Sequence, residues 1–382
     1  MKQRVSRRRF LSTMGASAVG ASVFQSVNPL AWADKIMTPA FDDPAATPMR
    51  MLAASKGLLY GSSGHSSILQ HDPRFAALFA QQCSIMVPEN QLKLDKVKPT
   101  QDSYDFSGAD YLVNFAQQND IKFRGHTLVW YQSLPGWFYR NMNASNLKPF
   151  MLDYINTLVT RYAGKFQSWD VVNEILNPAD NRPDGMRNSP YLKFIGPEYP
   201  EMAFHAAAAA DPSAMLVWNE NWLEEETPEG ESKRVTMLQR LKDMKSRNVP
   251  IHGIGIQSHL IGDHAAAYVG PGFHRFLHEV NEMGFKIIIS ELDVSDQNLP
   301  ADAGARDQAI ANLYYSYLSA VLKHKNVIAV LTWGLSDKYT WLSSYKARPD
   351  KLPVRPLPFD GNMNPKPVWN AIARAFDEAP SR

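Results

Sequence analysis

The sequence has one cysteine, Cys83, among its 382 residues. A single cysteine excludes an internal disulfide and cannot build a cysteine-based zinc site. The chain also has little net charge, because 40 lysines and arginines oppose 38 aspartates and glutamates. That balance argues against a nucleic-acid or membrane partner and favours a small or uncharged one.

A long apolar run is missing from the N-terminal region. Residues 10–24 are weakly apolar and fall short of the roughly 20 residues that a membrane span needs. A basic start precedes them, and Ala31-Trp32-Ala33 follows as an A-x-A cleavage site. Residues 6–11, Ser-Arg-Arg-Arg-Phe-Leu, resemble the bacterial twin-arginine signal. We predict a twin-arginine type signal peptide over residues 1–33, with an N-terminal membrane anchor as the alternative.

That signal would send the protein to the periplasm or out of the cell, with no membrane contact after its removal. Three prolines, Pro39, Pro44 and Pro48, then predict a linker over residues 34–54. Beyond the linker the sequence shows no internal repeat or low-complexity tract, and 45% of the chain is hydrophobic. We therefore predict one domain with a large core over residues 55–378.

Eight short apolar runs, each followed by a helical pattern, organise this domain. They are residues 57–62, 83–88, 121–130, 168–174, 214–219, 253–259, 286–291 and 327–334. The clearest helical patterns cover residues 149–163, 231–247 and 303–324. Isoleucine at positions 287, 288 and 289 is apolar on both faces of a strand, which suits a parallel sheet covered by helices. Eight strand–helix units predict a single (β/α)8 TIM barrel of the α/β class.

Two acids end two of the predicted strands, Glu174 at the end of residues 168–174 and Glu291 at the end of residues 286–291. The carboxyl ends of barrel strands meet at one mouth, so the two side chains are expected to lie close together. Two carboxyls suit cleavage of a glycosidic bond, in which one protonates the leaving oxygen and the other attacks the anomeric carbon. The glycine pair at Gly61-Ser62-Ser63-Gly64 is too short and generic for a phosphate loop.

The other predicted strands end mostly in uncharged polar side chains and indoles. These residues are His65, Glu89, Asn90, Lys93, His126, Trp130, Asn173, Asn219, Gln257, His259 and Trp333. Such a mouth suits a neutral polyhydroxylated ligand, and 9 Trp and 15 Tyr supply flat faces for sugar rings. Neither His126 nor His259 belongs to an H-x-H or H-E-x-x-H pair, so we expect no metal. The alternative for each of these two residues is a histidine buried in the core without a role in the site.

Seven motifs, in order and at plausible spacing, make the chain similar to glycoside hydrolase family 10 endo-β-1,4-xylanases over residues 56–375. The first four are Glu89-Asn90-Gln91-Leu92-Lys93, Arg124-Gly125-His126-Thr127-Leu128-Val129-Trp130, Trp169-Asp170-Val171-Val172-Asn173-Glu174 and Gly253-Ile254-Gly255-Ile256-Gln257-Ser258-His259. The others are Ser290-Glu291-Leu292-Asp293, Trp333-Gly334 with Ser336-Asp337 and Trp341, and Phe359-Asp360-Gly361-Asn362 with Asn364-Pro365-Lys366-Pro367.

The resemblance implies a family 10 catalytic domain over residues 55–378, which cleaves internal β-1,4-xylosidic linkages of xylan with retention. It implies Glu174 as general acid/base, Glu291 as nucleophile, and no cofactor. The substrate-binding residues that it implies are Glu89, Asn90, Lys93, His126, Trp130, Asn173, Gln257, His259, Trp333 and Trp341. Within this set, His259 would bond to the nucleophile. The expected partner is xylan or xylo-oligosaccharides, and we expect a monomer.

Four positions depart from the pattern of that family. Tyr131 stands in place of a histidine, Ser133 in place of a glutamine, Leu94 in place of a tryptophan, and residues 219–222 read Asn-Glu-Asn-Trp. These differences bear on the glycan preference more than on the reaction type. One alternative is therefore a retaining barrel hydrolase acting on another β-glycan, and the other is a non-catalytic xylan-binding protein on the same fold.

Overall fold

The computed structural model describes residues 47–382, and its sheet closes into a barrel. Within this range nine strands all pair in parallel. They are β1 (Leu59–Gly64), β2 (Ile85–Pro88), β3 (Lys122–Gly125), β4 (Ser168–Asn173), β5 (Met215–Glu220), β6 (Gly253–Ile256), β7 (His259–Ile261), β8 (Lys286–Ser295) and β9 (Val327–Thr332). The strands β1 to β6 pair in sequence, β6 pairs with β8, β8 with β9, and β9 with β1. These eight strands form the ring of the predicted (β/α)8 TIM barrel, which is confirmed.

Helices follow the strands along the described chain. They are α1 (Met49–Ala54), α2 (Ser66–His71), α3 (Pro73–Gln82), α4 (Leu94–Val97), α5 (Ser107–Gln118), α6 (Gly136–Asn141), α7 (Leu147–Arg161), α8 (Pro190–Ile195), α9 (Tyr199–Ala210), α10 (Pro228–Ser246), α11 (Pro271–Glu282), α12 (Ala303–Val321), α13 (Leu342–Tyr345) and α14 (Pro367–Asp377). The three predicted helical patterns correspond to α7, α10 and α12. None of the helices that the structure describes combines the length and the apolar character needed to cross a membrane.

The three isoleucines of β8 show why the apolar runs form a barrel. Ile287 and Ile289 belong to the large core between the strands and the helices, whereas Ile288 belongs to a smaller core with Val217 and Leu331. Successive side chains of a strand point to opposite faces, so one run fills both layers. Each isoleucine is fully buried, and such a side chain contributes about 1.5–3 kcal/mol by removing apolar surface from water.

Three of the predicted runs end three or more residues away from the end of the observed strand, two of them too late and one too early. The run over residues 121–130 is a strand only to Gly125, because Leu128 and Val129 then donate backbone hydrogen bonds to β4. The run over residues 253–259 stops at Ile256, where Ser258 takes a positive φ of 64° and interrupts the extended backbone. The run over residues 286–291 continues to Ser295, because β7 pairs with its far end.

The predicted domain boundaries shift at both ends. Residues 1–33, the predicted signal peptide, and residues 34–46 of the predicted linker lie outside the described residues. The last six residues of that linker instead form α1, which buries Met49 and Ala53 and follows directly after Pro48. At the other end, the Arg382 side chain donates to the carbonyl oxygens of Val327 at 2.7 Å and Leu322 at 2.9 Å. Residues on both sides of the predicted domain, α1 and Arg382, therefore make contacts with the barrel.

Candidate active site

The two predicted acids meet at the mouth of the barrel. Glu174 is the residue directly after β4 and adopts a positive φ of 54°. Glu291 lies within β8, two residues after the last pairing of that strand with β6. Both side chains are withdrawn from bulk solvent, with Glu174 8% exposed and Glu291 5% exposed. Their hydrogen bonds differ, and this difference decides what each carboxyl can do.

The Glu291 carboxylate has a hydrogen-bond donor at each of its oxygens. Asn219 Nδ2 donates to Oε1 at 2.7 Å, and His259 Nε2 donates to Oε2 at 3.1 Å. Burial of the carboxyl favours its neutral form and by itself raises the pKa. The bond from His259, the positive charges of His126 and His259, and the bond from Asn219 outweigh burial and lower the pKa of Glu291 to about 2. Glu291 is therefore ionised at neutral pH.

His259 bridges two carboxylates. Its Nδ1 donates to Asp293 Oδ1 at 2.9 Å, while its Nε2 faces Glu291. Burial lowers the pKa of the imidazole, but the charge of Asp293, the hydrogen bonds that the ring donates to both acids and the charge of Glu291 raise it well above its usual value. The second oxygen of Asp293 accepts a hydrogen bond from Trp341 Nε1 at 2.7 Å. The predicted contact between His259 and Glu291 is thus present, with the histidine charged.

Glu174 is held by neutral donors instead. Gln257 Nε2 donates to its Oε1 at 3.0 Å, and Asn173 Nδ2 lies 3.4 Å from the same oxygen. Its backbone is fixed separately, because Arg187 Nε donates to the Glu174 carbonyl oxygen at 2.7 Å. The two carboxyls of the mouth therefore face different chemistry, a cationic imidazole at Glu291 and amide groups at Glu174.

A chain of amides joins the two acids across four strands. Asn219 Nδ2, which binds Glu291, also donates to Asn173 Oδ1 at 2.9 Å. Gln257 Nε2, which binds Glu174, donates to the same Asn173 oxygen at 3.2 Å. Asn219 was only a strand-end residue in the sequence, yet it is fully buried and contacts Glu291 directly. The signal that could have identified it is strand register, since Asn173 and Asn219 pair across β4 and β5.

A glycine makes room for this amide chain. Gly255 pairs with Asn219 in the register of β5 and β6, and a Cβ atom at Gly255 would lie 2.0 Å from Asn219 Oδ1. That distance is far inside van der Waals contact, so a larger residue would push the Asn219 amide off Glu291. The glycine is therefore part of the way the sequence positions Glu291.

Asp170 forms a second buried anchor below the site. Its Oδ1 accepts a hydrogen bond from Arg124, and its Oδ2 lies 2.9 Å from Nδ1 of His126. This contact fixes the ring of His126, whose edge meets the Trp333 indole at a centroid distance of 5.5 Å. Asp170, Arg124 and Asp293 were parts of motifs rather than predicted site residues. Each acts on the site through a histidine or an amide.

The remaining predicted binding residues form two groups at the rim. In the first group, Lys93 Nζ donates to Asn90 Oδ1 at 3.1 Å and lies 5.1 Å from the centroid of the Trp130 ring. Burial lowers the pKa of the Lys93 ammonium, and the charges of Glu291 and Glu89 oppose that effect. The predicted residues that follow β2 therefore lie at the same mouth as the two acids.

The second group is aromatic. The Trp341 ring lies 5.1 Å from the His259 ring and stacks on Tyr345 at a centroid distance of 4.6 Å. Trp333 is buried and meets His259 edge-on at 6.3 Å. The two predicted indoles thus lie beside the histidine that holds Glu291, and Tyr345, which is 65% exposed, extends this wall outwards. Tyr345 had no sequence signal of its own.

The positions that depart from the family pattern lie in different surroundings. Leu94 is buried at the start of α4, so its side chain belongs to the core. Ser133 adopts a positive φ of 50°, and its carbonyl oxygen accepts a hydrogen bond from the backbone of Asp95. Trp222 is 51% exposed just past β5, and Tyr131 packs against Arg187. Tyr131 is the departure that touches the surroundings of an acid.

The imidazoles of the mouth are engaged with acids rather than grouped for a metal. Within residues 47–382, no three His, Cys, Asp or Glu side chains are arranged to hold a metal ion. The chemistry available at the mouth is that of one ionised carboxylate, one amide-bound carboxyl and several neutral donors. A (β/α)8 barrel with such a pair of acids at its mouth is the architecture of a glycoside hydrolase.

Comparison with known proteins identifies the family. The sequence profile of Glycosyl hydrolase family 10 matches residues 49–375. The chain is 34% identical over 334 residues to endo-1,4-beta-xylanase 3 of Hypocrea jecorina, which covers 87% of this chain and 86% of that protein. It is 31% identical over 337 residues to endo-1,4-beta-xylanase B of Thermotoga neapolitana, covering 87% and 92%. The chain belongs to glycosyl hydrolase family 10.

Solved structures agree with this placement. Native xylanase 10B from Thermotoga maritima superposes with a TM-score of 0.78 at 31% identity, covering 87% of this chain and 98% of that chain. Xylanase 10B from Thermotoga petrophila, in complex with xylobiose, also gives a TM-score of 0.78, at 30% identity over 88% and 99%. The structural similarity therefore extends over nearly the whole length of those two proteins.

Proposed function

We propose that this protein is an endo-β-1,4-xylanase that hydrolyses internal linkages of xylan with retention of the anomeric configuration. Membership of the family and the similarity to curated endo-1,4-beta-xylanases support the activity. The observation that carries the assignment of roles is the contrast between the two acids. Glu291 is kept ionised by His259 and Asn219, whereas the Glu174 carboxyl contacts the neutral amides of Gln257 and Asn173.

In the first step, the Glu291 carboxylate attacks the anomeric carbon and forms a covalent glycosyl ester. The bond from that carbon to the leaving oxygen breaks, and Glu174 gives its proton to the oxygen. In the second step, Glu174 takes a proton from water, the water oxygen attacks the same carbon, and Glu291 leaves as a carboxylate. Two inversions at one carbon give net retention.

The amide chain has a role in the transition state. Asn173 Oδ1 already accepts from Asn219 and Gln257, whereas its Nδ2 has only a long 3.4 Å contact with Glu174. That Nδ2 is the group best placed to donate to the sugar 2-hydroxyl, a bond that strengthens as the oxocarbenium-like charge develops. His259 stays paired with Asp293 when Glu291 loses its charge in the ester, so no buried cation is left alone.

The rim groups support binding of the sugars around the cleaved bond. Lys93 and Asn90, with Glu89, supply polar groups for sugar hydroxyls on the non-reducing side. Trp130, Trp333 and Trp341 supply flat aromatic faces for the rings. The proposed substrate is xylan or xylo-oligosaccharides, and the proposed state is a monomer. Residues 1–33 are proposed to direct twin-arginine export, which cell fractionation of the full chain checks.

The experiment that tests the reaction is proton NMR of the protein acting on xylo-oligosaccharides, following the anomeric signals from the earliest times. We expect the β-anomer to appear first, because double displacement retains the configuration. The Glu291→Ala protein, prepared in the same way, serves as the control for background cleavage. Initial release of the α-anomer would contradict the nucleophile assignment, and binding without cleavage would favour the non-catalytic alternative.

We also expect His259→Asn to make the enzyme sensitive to acid. The change removes the hydrogen bond and the positive charge that lower the pKa of Glu291, while the burial that raises this pKa remains. Because only the ionised carboxylate attacks, kcat/KM of the variant should fall at a pH about 2 units higher than in the parent. The measurement is kcat/KM for an aryl xylobioside across the acid range.

The matched control for this variant is His278→Asn, the same chemical change at an exposed residue of α11. Its acid profile should overlay that of the parent. Because His259→Asn also removes a partner of the buried Asp293, thermal unfolding shows that the variant is folded at each pH used. An unchanged acid limb in the folded variant would mean that His259 does not keep Glu291 ionised.

A further inference from the structure

Tyr131 lies beside Glu174, the acid whose carboxyl contacts neutral amides. It is half-buried in the segment between β3 and α6, and it lines a small cavity together with Glu174 and Arg187. The negative charge of Glu174 is close enough to act on the phenol across this cavity. Burial, followed by the negative charge of Glu174, raises the pKa of the phenol. Tyr131 therefore keeps its proton throughout the neutral range.

The Tyr131 hydroxyl accepts a hydrogen bond from its neighbour Gln132. Gln132 Nε2 donates to the Tyr131 oxygen at 2.6 Å, so the oxygen already acts as an acceptor there. A tyrosine hydroxyl has one proton to donate, and the Glu174 carboxyl, which lines the same cavity, is a hydrogen-bond acceptor. The bond from Gln132 thus leaves the proton of Tyr131 available for another acceptor.

Arg187 holds both partners in place. Its guanidinium stacks on the Tyr131 ring at 4.3 Å from the centroid, and its Nε fixes the Glu174 carbonyl oxygen. A further nitrogen, Nη2, donates to the carbonyl oxygen of Leu176 at 3.3 Å, and the side chain is 9% exposed. One buried side chain thus fixes the backbone of Glu174 and the plane of the tyrosine that faces it.

We propose that Tyr131 is a positioning residue that donates a hydrogen bond to the ionised form of Glu174. This rests on the proposed acid/base role of Glu174. The bond stabilises the carboxylate that must accept a proton from water in the second step, and it sets the pH above which the acid form is lost. Unlike a histidine, a tyrosine supplies this donor without titrating near neutral pH.

Tyr131→Phe tests the inference, because it removes the hydroxyl and keeps the ring that packs on Arg187. Without the donor, the carboxylate is less favourable and the acid form persists to higher pH. We expect the alkaline limb of kcat/KM on xylo-oligosaccharides to move up by about one pH unit. Gln132→Ala, at an exposed position, should move it in the same direction by less, because the hydroxyl then loses its fixed orientation.

The matched control is Tyr139→Phe on α6, where the tyrosine is 64% exposed, and its limb should coincide with that of the parent. A folded Tyr131→Phe variant that is slower at every pH with an unmoved limb, or a limb moved down, would overturn the inference. The assignment of the limb is tested separately with Glu174→Ala on the same xylo-oligosaccharides, where its residual kcat/KM should lack the limb. Persistence of the limb in Glu174→Ala would overturn the proposed role of Glu174 itself.

Discussion

Replacing Glu291 by glutamine should lower kcat by about 10⁴-fold or more, because a neutral amide cannot form the glycosyl ester. Glutamine keeps the size of the side chain, and it can still contact Asn219, so the loss reports on the charge rather than on packing. The same change also leaves the His259 cation with Asp293 as its remaining acid. The measurement is turnover of xylan and of an aryl xylobioside by the purified variant.

Intact-protein mass spectrometry gives an independent readout for the same variant. A 2-fluoro xylobioside with a good leaving group slows the second step, so the parent should accumulate an adduct with the mass of the fluorinated xylobiosyl group. Glu291→Gln should show no adduct, whereas Glu282→Gln, at an exposed position of α11, should be labelled like the parent. An adduct on Glu291→Gln would show that another residue is the nucleophile.

Glu174→Ala should lower kcat/KM on xylan by about 10²–10⁴-fold, the usual worth of a positioned general acid. The leaving oxygen of a sugar is a poor leaving group and needs the proton, whereas a nitrophenolate does not. Formation of the glycosyl ester from an activated aryl xylobioside should therefore be affected much less. The measurement compares the two substrates, with burst kinetics separating the first step from the second.

Azide supplies a second check on Glu174→Ala. With the carboxyl removed, a small anion can enter its place and attack the ester without base assistance, giving a β-glycosyl azide and a faster second step. Glu198→Ala, at an exposed position, is the control. Its turnover of both substrates should match that of the parent, and azide should not accelerate it. Equal losses on both substrates, with no azide product, would contradict the proton-donor assignment.

The barrel could be predicted because its strands are apolar on both faces. In β8, Ile288 faces the inner core while its neighbours Ile287 and Ile289 face the helices, so hydrophobic residues are needed at consecutive positions. The third run was predicted too long for the same reason. Leu128 and Val129 are buried and apolar, but their backbone hydrogen bonds go to Asp170 and Val171 instead of continuing β3.

The sequence predicts those site residues that stand at the ends of apolar runs. Glu174 and Glu291 stand at the ends of apolar runs, and His259 follows another such run. Asn219 was not predicted as a binding residue because its role arises from register. It lies opposite Asn173 on one side and Gly255 on the other, and neither relation is visible along the chain.

The sequence predicts a linker where α1 lies, because this helix is too short to show a helical period. Its six residues make fewer than two turns, and isolated helices of that length are unstable in water. What stabilises α1 is distant in sequence. Arg50 donates to the carbonyl oxygens of Ala80 at 3.0 Å and Asp120 at 2.8 Å, and Met49 packs in the core.

The pairing of β1 with β9 determines when a growing chain can finish its sheet. Ser62 Oγ donates to the carbonyl oxygen of Thr332 at 3.2 Å across 270 residues of sequence. Until β9 has left the ribosome, β1 and β8 each have one edge without a partner strand. Such edges are templates for association with other chains. A frameshift or stop codon before Val327 would therefore yield an insoluble product rather than a smaller enzyme.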